Sequence, residues 1–203
     1  MSGNSSVFPD EFLMRQFKTF NPPSKYTVAL LGTSLFGRFK YYTAHDPYFK
    51  ENPCILNLGG HLGADRIQNV QRLIERDFLR CLKEHQPNLK VIYLQMGDGD
   101  LTENGLQKSD ALTYGKVVKS LRDEFPNAQI VITAFFLQRG FSEAVIEEAN
   151  QMLRDIASQN GDTVSFLPFG PDQTGFMSND QIHLTNAGYR KWYDFIQNDI
   201  NNR

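Results

Sequence analysis

Short apolar runs alternate with stretches of helical period along this chain, and that alternation most limits the folds open to it. Residues 26–31, 54–58, 91–96, 130–134 and 164–167 are brief and largely apolar, as strands buried on both faces of a parallel sheet must be. Between the second and third runs, Ile67, Val70, Leu73, Ile74, Phe78, Cys81 and Leu82 recur at helical spacing and predict one helix over 65–85. Residues 109–125 predict another, closed by Pro126-Asn127. A third opens at Ser142 and stops at Gly161, and Thr185 caps a last helix bearing Tyr189, Trp192, Phe195 and Ile196. Such repetition calls for parallel strands joined by right-handed crossovers, hence a three-layer α/β/α fold.

The chain has 203 residues, enough for one sizeable core. We expect a single domain over 26–203, with residues 1–25 as a lead-in segment packed on it. In that segment Phe8, Phe12 and Phe17 form an apolar stripe and Asp10 is a candidate N-cap, so 7–23 predicts a short helix ended by Pro22-Pro23.

The stretch YTVALLGTSL, 26–35, delivers a serine at the end of the first strand. Gly32 permits a tight turn, and Ser34 falls where strand becomes helix, at the carboxyl edge of the sheet. Ligands of open α/β sheets bind outside that edge. Taken alone, the motif favours Thr33 and Ser34 as simple caps of the next helix.

A net charge of −2 and a pI near 6.1 leave no basic footprint for nucleic acid. No apolar run is long enough to span a bilayer, and residues 1–6 lack the pattern of a secretory signal, so a cytoplasmic or other intracellular setting is expected. Cys54, in a predicted strand, and Cys81, in a predicted helix, are expected to be free thiols in the core.

Four blocks, Gly32 to Leu35, Asn57 to Gly63, Gly97 to Leu101 and Asp180 to Leu184, occur in the order of the motif blocks of the SGNH (GDSL-like) hydrolases, which this chain resembles over nearly its whole length. The resemblance implies a flavodoxin-like fold with a five-stranded parallel sheet and hydrolysis of esters, including lipid esters, acetylated sugars and thioesters. It also implies a nucleophile at Ser34, a base at His183 and an orienting acid at Asp180. The residue types agree. A serine hydroxyl needs a base to take its proton, histidine suits that task, and a carboxylate three residues earlier can hold the imidazole tautomer.

The resemblance further implies oxyanion donors from the Ser34 N–H, a glycine of the second block and an asparagine side chain of the third. Gly63 matches the glycine best because it precedes the long helix, with Gly60 as the alternative. Gly99 stands where the asparagine should be, and Thr33 where the first block carries aspartate. Asp98 and Asp100 are read first as turn residues. Loss of one oxyanion donor costs about a hundred- to a thousandfold in turnover, a slower enzyme rather than none.

The leading expectation is therefore an ester hydrolase acting on a small-molecule or lipid ester, with no metal or organic cofactor required. The rival is an SGNH-like binding module for a protein, lipid or nucleic-acid partner. The aromatic residues after Ser34 and the run Phe135-Phe136-Leu137 suit an acyl pocket or the core equally. The loop 169–179 is expected at the rim of the site.

Overall fold

The computed structural model describes residues 25–138, 140–169, 173, 175–180 and 182–203. The expected lead-in helix of 7–23 lies outside them.

Five strands, β1 (Val28–Gly32), β2 (Ile55–Asn57), β3 (Val91–Gln95), β4 (Gln129–Thr133) and β5 (Val164–Leu167), form one sheet in the order β2-β1-β3-β4-β5. Every pairing is parallel. This is the flavodoxin-like order, and its topological switch point lies beside β1, whose neighbours are β2 on one side and β3 on the other. The helices are α1 (Ser34–His45), α2 (Ile67–Ile74), α3 (Phe78–His85), α4 (Lys108–Glu124), α5 (Glu143–Gln159) and α6 (Asn186–Asn201).

Strand periodicity assigns the two faces. Ala29 and Leu31 of β1, Ile92 and Leu94 of β3, and Ile130 and Ile132 of β4 join a core with residues of α2, α3, α4 and α5. The alternate residues Val28, Leu30, Val91, Tyr93 and Val131 join a second core with α1 and α6. The sheet is thus covered on both sides, giving three layers.

The second core is largely aromatic. Phe36 of α1 stacks on Trp192 of α6 with ring centroids 4.9 Å apart, and Phe39 lies 4.8 Å from the same indole. Such pairs contribute about 0.5–1.5 kcal/mol each beyond their buried area. Phe136 packs edge-on against Trp192, while Phe135 belongs to the opposite core, each about 1% exposed. The aromatic residues after Ser34 and after β4 therefore serve mainly as core.

Two expectations need correction. The predicted helix of 65–85 is two helices, broken at Glu75 to Asp77 by short i→i+3 bonds and by Asp77 at φ 63°. Aspartate is among the few non-glycine residues that adopt this left-handed conformation readily. The apolar stripe survives the break because Ile74 and Phe78 are still one turn apart in sequence. Cys54 is exposed rather than core, since it lies in the turn before β2 with its N–H bonded to Asn52 Oδ1. Cys81 is half-buried against the α2–α5 core.

Candidate active site

The carboxyl ends of β1 and β3 hold the first part of the site. β1 runs straight into α1, with Thr33 as N-cap: its Oγ1 accepts the N–H of Leu35 at 3.2 Å. Ser34 is the first helical residue, so its own N–H belongs to the unpaired set at a helix N-terminus. Gly32 serves close packing here. A Cβ there would meet Phe36 Cδ2 at 2.5 Å and Gln95 O at 2.8 Å, so only glycine lets α1 fold back so tightly over β3.

The second part comes from the loop before α6. Residues 177 and 184 form an antiparallel bridge, Ser178 N–H donates to the His183 carbonyl at 2.8 Å, and Thr185 N–H donates to Phe176 O at 2.6 Å. Thr185 then caps α6 by accepting the Gly188 N–H. Because α1 and α6 share the aromatic core, and Tyr42 Oη in the last turn of α1 donates to Asn186 Oδ1 at 2.5 Å, the start of α6 is held against α1. In the loop expected at the rim of the site, the described residues Phe176 and Ser178 are bonded to the 180–185 segment.

The result is a hydrogen-bonded line. Ser34 Oγ lies 3.0 Å from His183 Nε2, and His183 Nδ1 lies 2.9 Å from Asp180 Oδ2. Asp180 is secured by its other oxygen: Oδ1 accepts Ser178 Oγ–H at 2.6 Å and the N–H groups of Ile182 and His183 at 2.9 Å each. The His183 N–H, then Ser178, the Ile182 N–H and the imidazole, hold this carboxyl far below the usual carboxylate range. A carboxylate that stays ionised fixes the proton of His183 on Nδ1, which leaves Nε2 as acceptor for the Ser34 hydroxyl.

The glycines separate in a way that the sequence could not show. The β1–β2 ladder continues past β2, so Leu58 N–H pairs with Leu30 O, and Gly60 N–H donates to Gly32 O at 3.0 Å. Gly60 lies beside Ser34, with a Cβ placed on it 3.9 Å from the Ser34 Cα, but its N–H is already used. Gly63 is held by Asn69, whose Nδ2 donates to its carbonyl, and among the described residues its N–H has no acceptor. Gly99 donates its N–H to Asp65 O at 2.9 Å, and a Cβ there would face that same carbonyl at 3.0 Å and Arg66 Nε at 3.3 Å.

The two aspartates of the third block differ. Asp100 is a surrogate cap for α2, accepting the Ile67 N–H at 2.7 Å and pairing with Arg66. Asp98 instead turns inward, accepting Gln95 Nε2 at 2.7 Å. Burial pushes its carboxyl up to about 6, against the opposing influence of Gln95, Thr33 and Gln138. Burial, and then the charge of Lys40, hold His61 below its ordinary value, and Lys40 Nζ ties down the same loop through Gly59 O at 3.1 Å.

Gln95, Ser178 and Lys40 were not legible as site residues. The signal for Gln95 is a polar residue closing an apolar strand at the sheet's carboxyl edge, whereas Ser178 and Lys40 carry none. A cavity of 380 Å³ lined by Phe39, Ile55 and Tyr193 lies along α1, β2 and α6 and includes none of Ser34, Asp180 and His183.

Comparison with known proteins agrees with this architecture. Residues 49–191 match the GDSL-like Lipase/Acylhydrolase family, a span that takes in three of the four blocks. A Streptococcus pneumonia structure, provisionally named a platelet activating factor, superposes with a TM-score of 0.69 at 17% identity, covering 95% of this chain and 92% of that one. A family 3 carbohydrate esterase of Clostridium thermocellum gives 0.56 at 17% identity, over 85% of this chain and 95% of that one. The carbohydrate esterase family 3 protein of Talaromyces cellulolyticus gives 0.58 at 12% identity, over 86% and 96%. No curated protein matches the chain in sequence. With 143 of its 203 residues inside the family match, the chain belongs to the GDSL-like lipase/acylhydrolase family.

Proposed function

We propose that the protein is a serine-dependent hydrolase of carboxylic or acetyl esters that works through an acyl-enzyme on Ser34. The observation that carries this reading is the unbroken line Ser34 Oγ, His183, Asp180, with both links at hydrogen-bond length. In it His183 Nε2 takes the Ser34 proton as Oγ attacks the ester carbonyl, and Asp180 stabilises the imidazolium that forms. The tetrahedral oxyanion is met by the N–H groups of Ser34 and Gly63. His183 then passes its proton to the departing alcohol, the acyl group remains on Ser34, and a water activated by the same imidazole releases the acid.

Two backbone donors without a side-chain third place turnover about a hundred- to a thousandfold below an enzyme with a full set. Membership of an acylhydrolase family, and structural neighbours that include carbohydrate esterases, favour small acyl or acetyl esters as first substrates to try. The test is hydrolysis of p-nitrophenyl acetate by wild type, Ser34→Ala and His183→Ala. Turnover that disappears in both variants supports the reading. Equal rates in all three proteins overturn it.

A further inference from the structure

The side chains behind Ser34 form a chain of their own. Thr33 Oγ1 accepts the Leu35 N–H and donates to Gln95 Oε1 at 2.5 Å, while Gln95 Oε1 also accepts the Thr33 N–H at 3.3 Å. From the other end of the same amide, Nε2 donates to Asp98 Oδ2 at 2.7 Å. Thr33 and Gln95 are buried, at 4% and 1% exposure, so water cannot substitute for a lost partner.

The polarity of this chain has one solution. An ionised carboxylate only accepts, so Asp98 requires the NH2 of Gln95 to face it. That leaves Gln95 with its oxygen toward Thr33, which obliges the Thr33 hydroxyl to donate there and to accept from Leu35. An inverted amide would set its NH2 against the Thr33 N–H, donor against donor, and its oxygen against a carboxylate. Asp98 thereby selects the rotamers that hold the first turn of α1, and Ser34 lies inside that turn.

Asp98 does not act on a substrate directly. Its Oδ1 is sealed from solvent and has no hydrogen-bond partner among the described residues, while its Oδ2 accepts from Gln95. An ionised carboxylate with one oxygen sealed and the other engaged by Gln95 has no donor to offer an oxyanion. We infer that Asp98, in the turn that follows β3, is a positioning residue that fixes the Ser34 turn through Gln95 and Thr33. The effect on reaction rests on the reading of Ser34 as nucleophile. The effect on the turn does not.

The test is a double-mutant cycle with two readouts, using the full chain: the rate at which a fluorophosphonate phosphonylates Ser34, and amide hydrogen exchange at Leu35. Asp98→Ala and Thr33→Val should each lower Leu35 protection and slow labelling roughly five- to tenfold, the population change that loss of one helix cap brings. The double variant should be no worse than Thr33→Val alone, because both act through one chain. Asp98→Asn, which keeps an acceptor oxygen for Gln95, should recover most of the rate and protection, and keeps the test decisive if Asp98→Ala does not fold. Additive losses, wild-type protection in Asp98→Ala, or an Asp98→Asn protein as impaired as the alanine variant would overturn the inference. If wild type itself does not label, the nucleophile reading fails, and Leu35 exchange alone still decides whether Asp98 orders the turn.

Discussion

Ser34 and His183, 149 residues apart in the chain, are joined by a 3.0 Å contact between Oγ and Nε2. Neither residue is placed by its own neighbourhood alone. The first sits at the start of a helix capped from within its turn, and the second lies in a loop bolted to the start of α6. Aromatic packing between α1 and α6 converts those two local structures into one site.

Asp180→Asn should retain the fold and reduce kcat about 10³- to 10⁴-fold with KM little changed. An amide can hold the ring but allows the wrong tautomer and gives no charge to an imidazolium. Steady-state kinetics on p-nitrophenyl acetate check this, and a loss confined to KM would contradict it.

Asp98→Asn should stabilise the protein at neutral pH. The folded-state pKa of Asp98 is raised to about 6 by burial, above its unfolded value, so the folded state binds the extra proton. Stability from this group is therefore present at low pH and lost as pH rises from about 4 through 6. The asparagine removes that cost, by at most about 2–3 kcal/mol at pH 7–8. Melting temperatures of the two proteins should differ most above pH 6 and converge toward pH 4.

Gly59→Ala should be strongly destabilising. A Cβ at Gly59 would lie 2.4 Å from Gly37 N and 2.5 Å from Phe36 Cβ, with backbone on one side that cannot move aside. Chemical denaturation should show a loss of about 1–3 kcal/mol or more, whereas Gly115→Ala, in α4 with nothing within 4 Å of the added carbon, should be neutral or slightly stabilising.

Gly99→Asn should not raise turnover. The Cβ direction at 99 points into the Asp65–Arg66 turn, so an asparagine there presses on Asp65 O rather than reaching toward Ser34. A hundredfold gain in kcat would show that the third block can be rebuilt by that one change and that the turn relaxes around it.

The fold was legible because its signals are local. Runs such as Val28 to Leu31 and the stripe of Ile67 to Leu82 state which faces are buried, and the order of strands and helices then leaves few topologies. The break at Asp77 was not legible, since a helix interrupted for one turn keeps its apolar register. The exposure of Cys54 was hidden because apolar content does not mark where a strand begins. At the site, Ser34, Asp180 and His183 could be named from residue types and motif order. The chain Thr33–Gln95–Asp98 could not, because side-chain bonds spanning 62 residues leave no periodic trace. The contrast between Gly60 and Gly63 depends on how far the β1–β2 ladder runs past its last strand residue, which is a property of packing.

Activation of Ser34 is tested by stoichiometric labelling with a fluorophosphonate, read by intact mass on wild type, Ser34→Ala and His183→Ala. Fluoride leaves as Oγ bonds to phosphorus, so only an activated serine reacts at a useful rate. One adduct per wild-type chain and none on either variant is the expected result. A folded wild type that stays unmodified, or a Ser34→Ala protein that still labels, would contradict it.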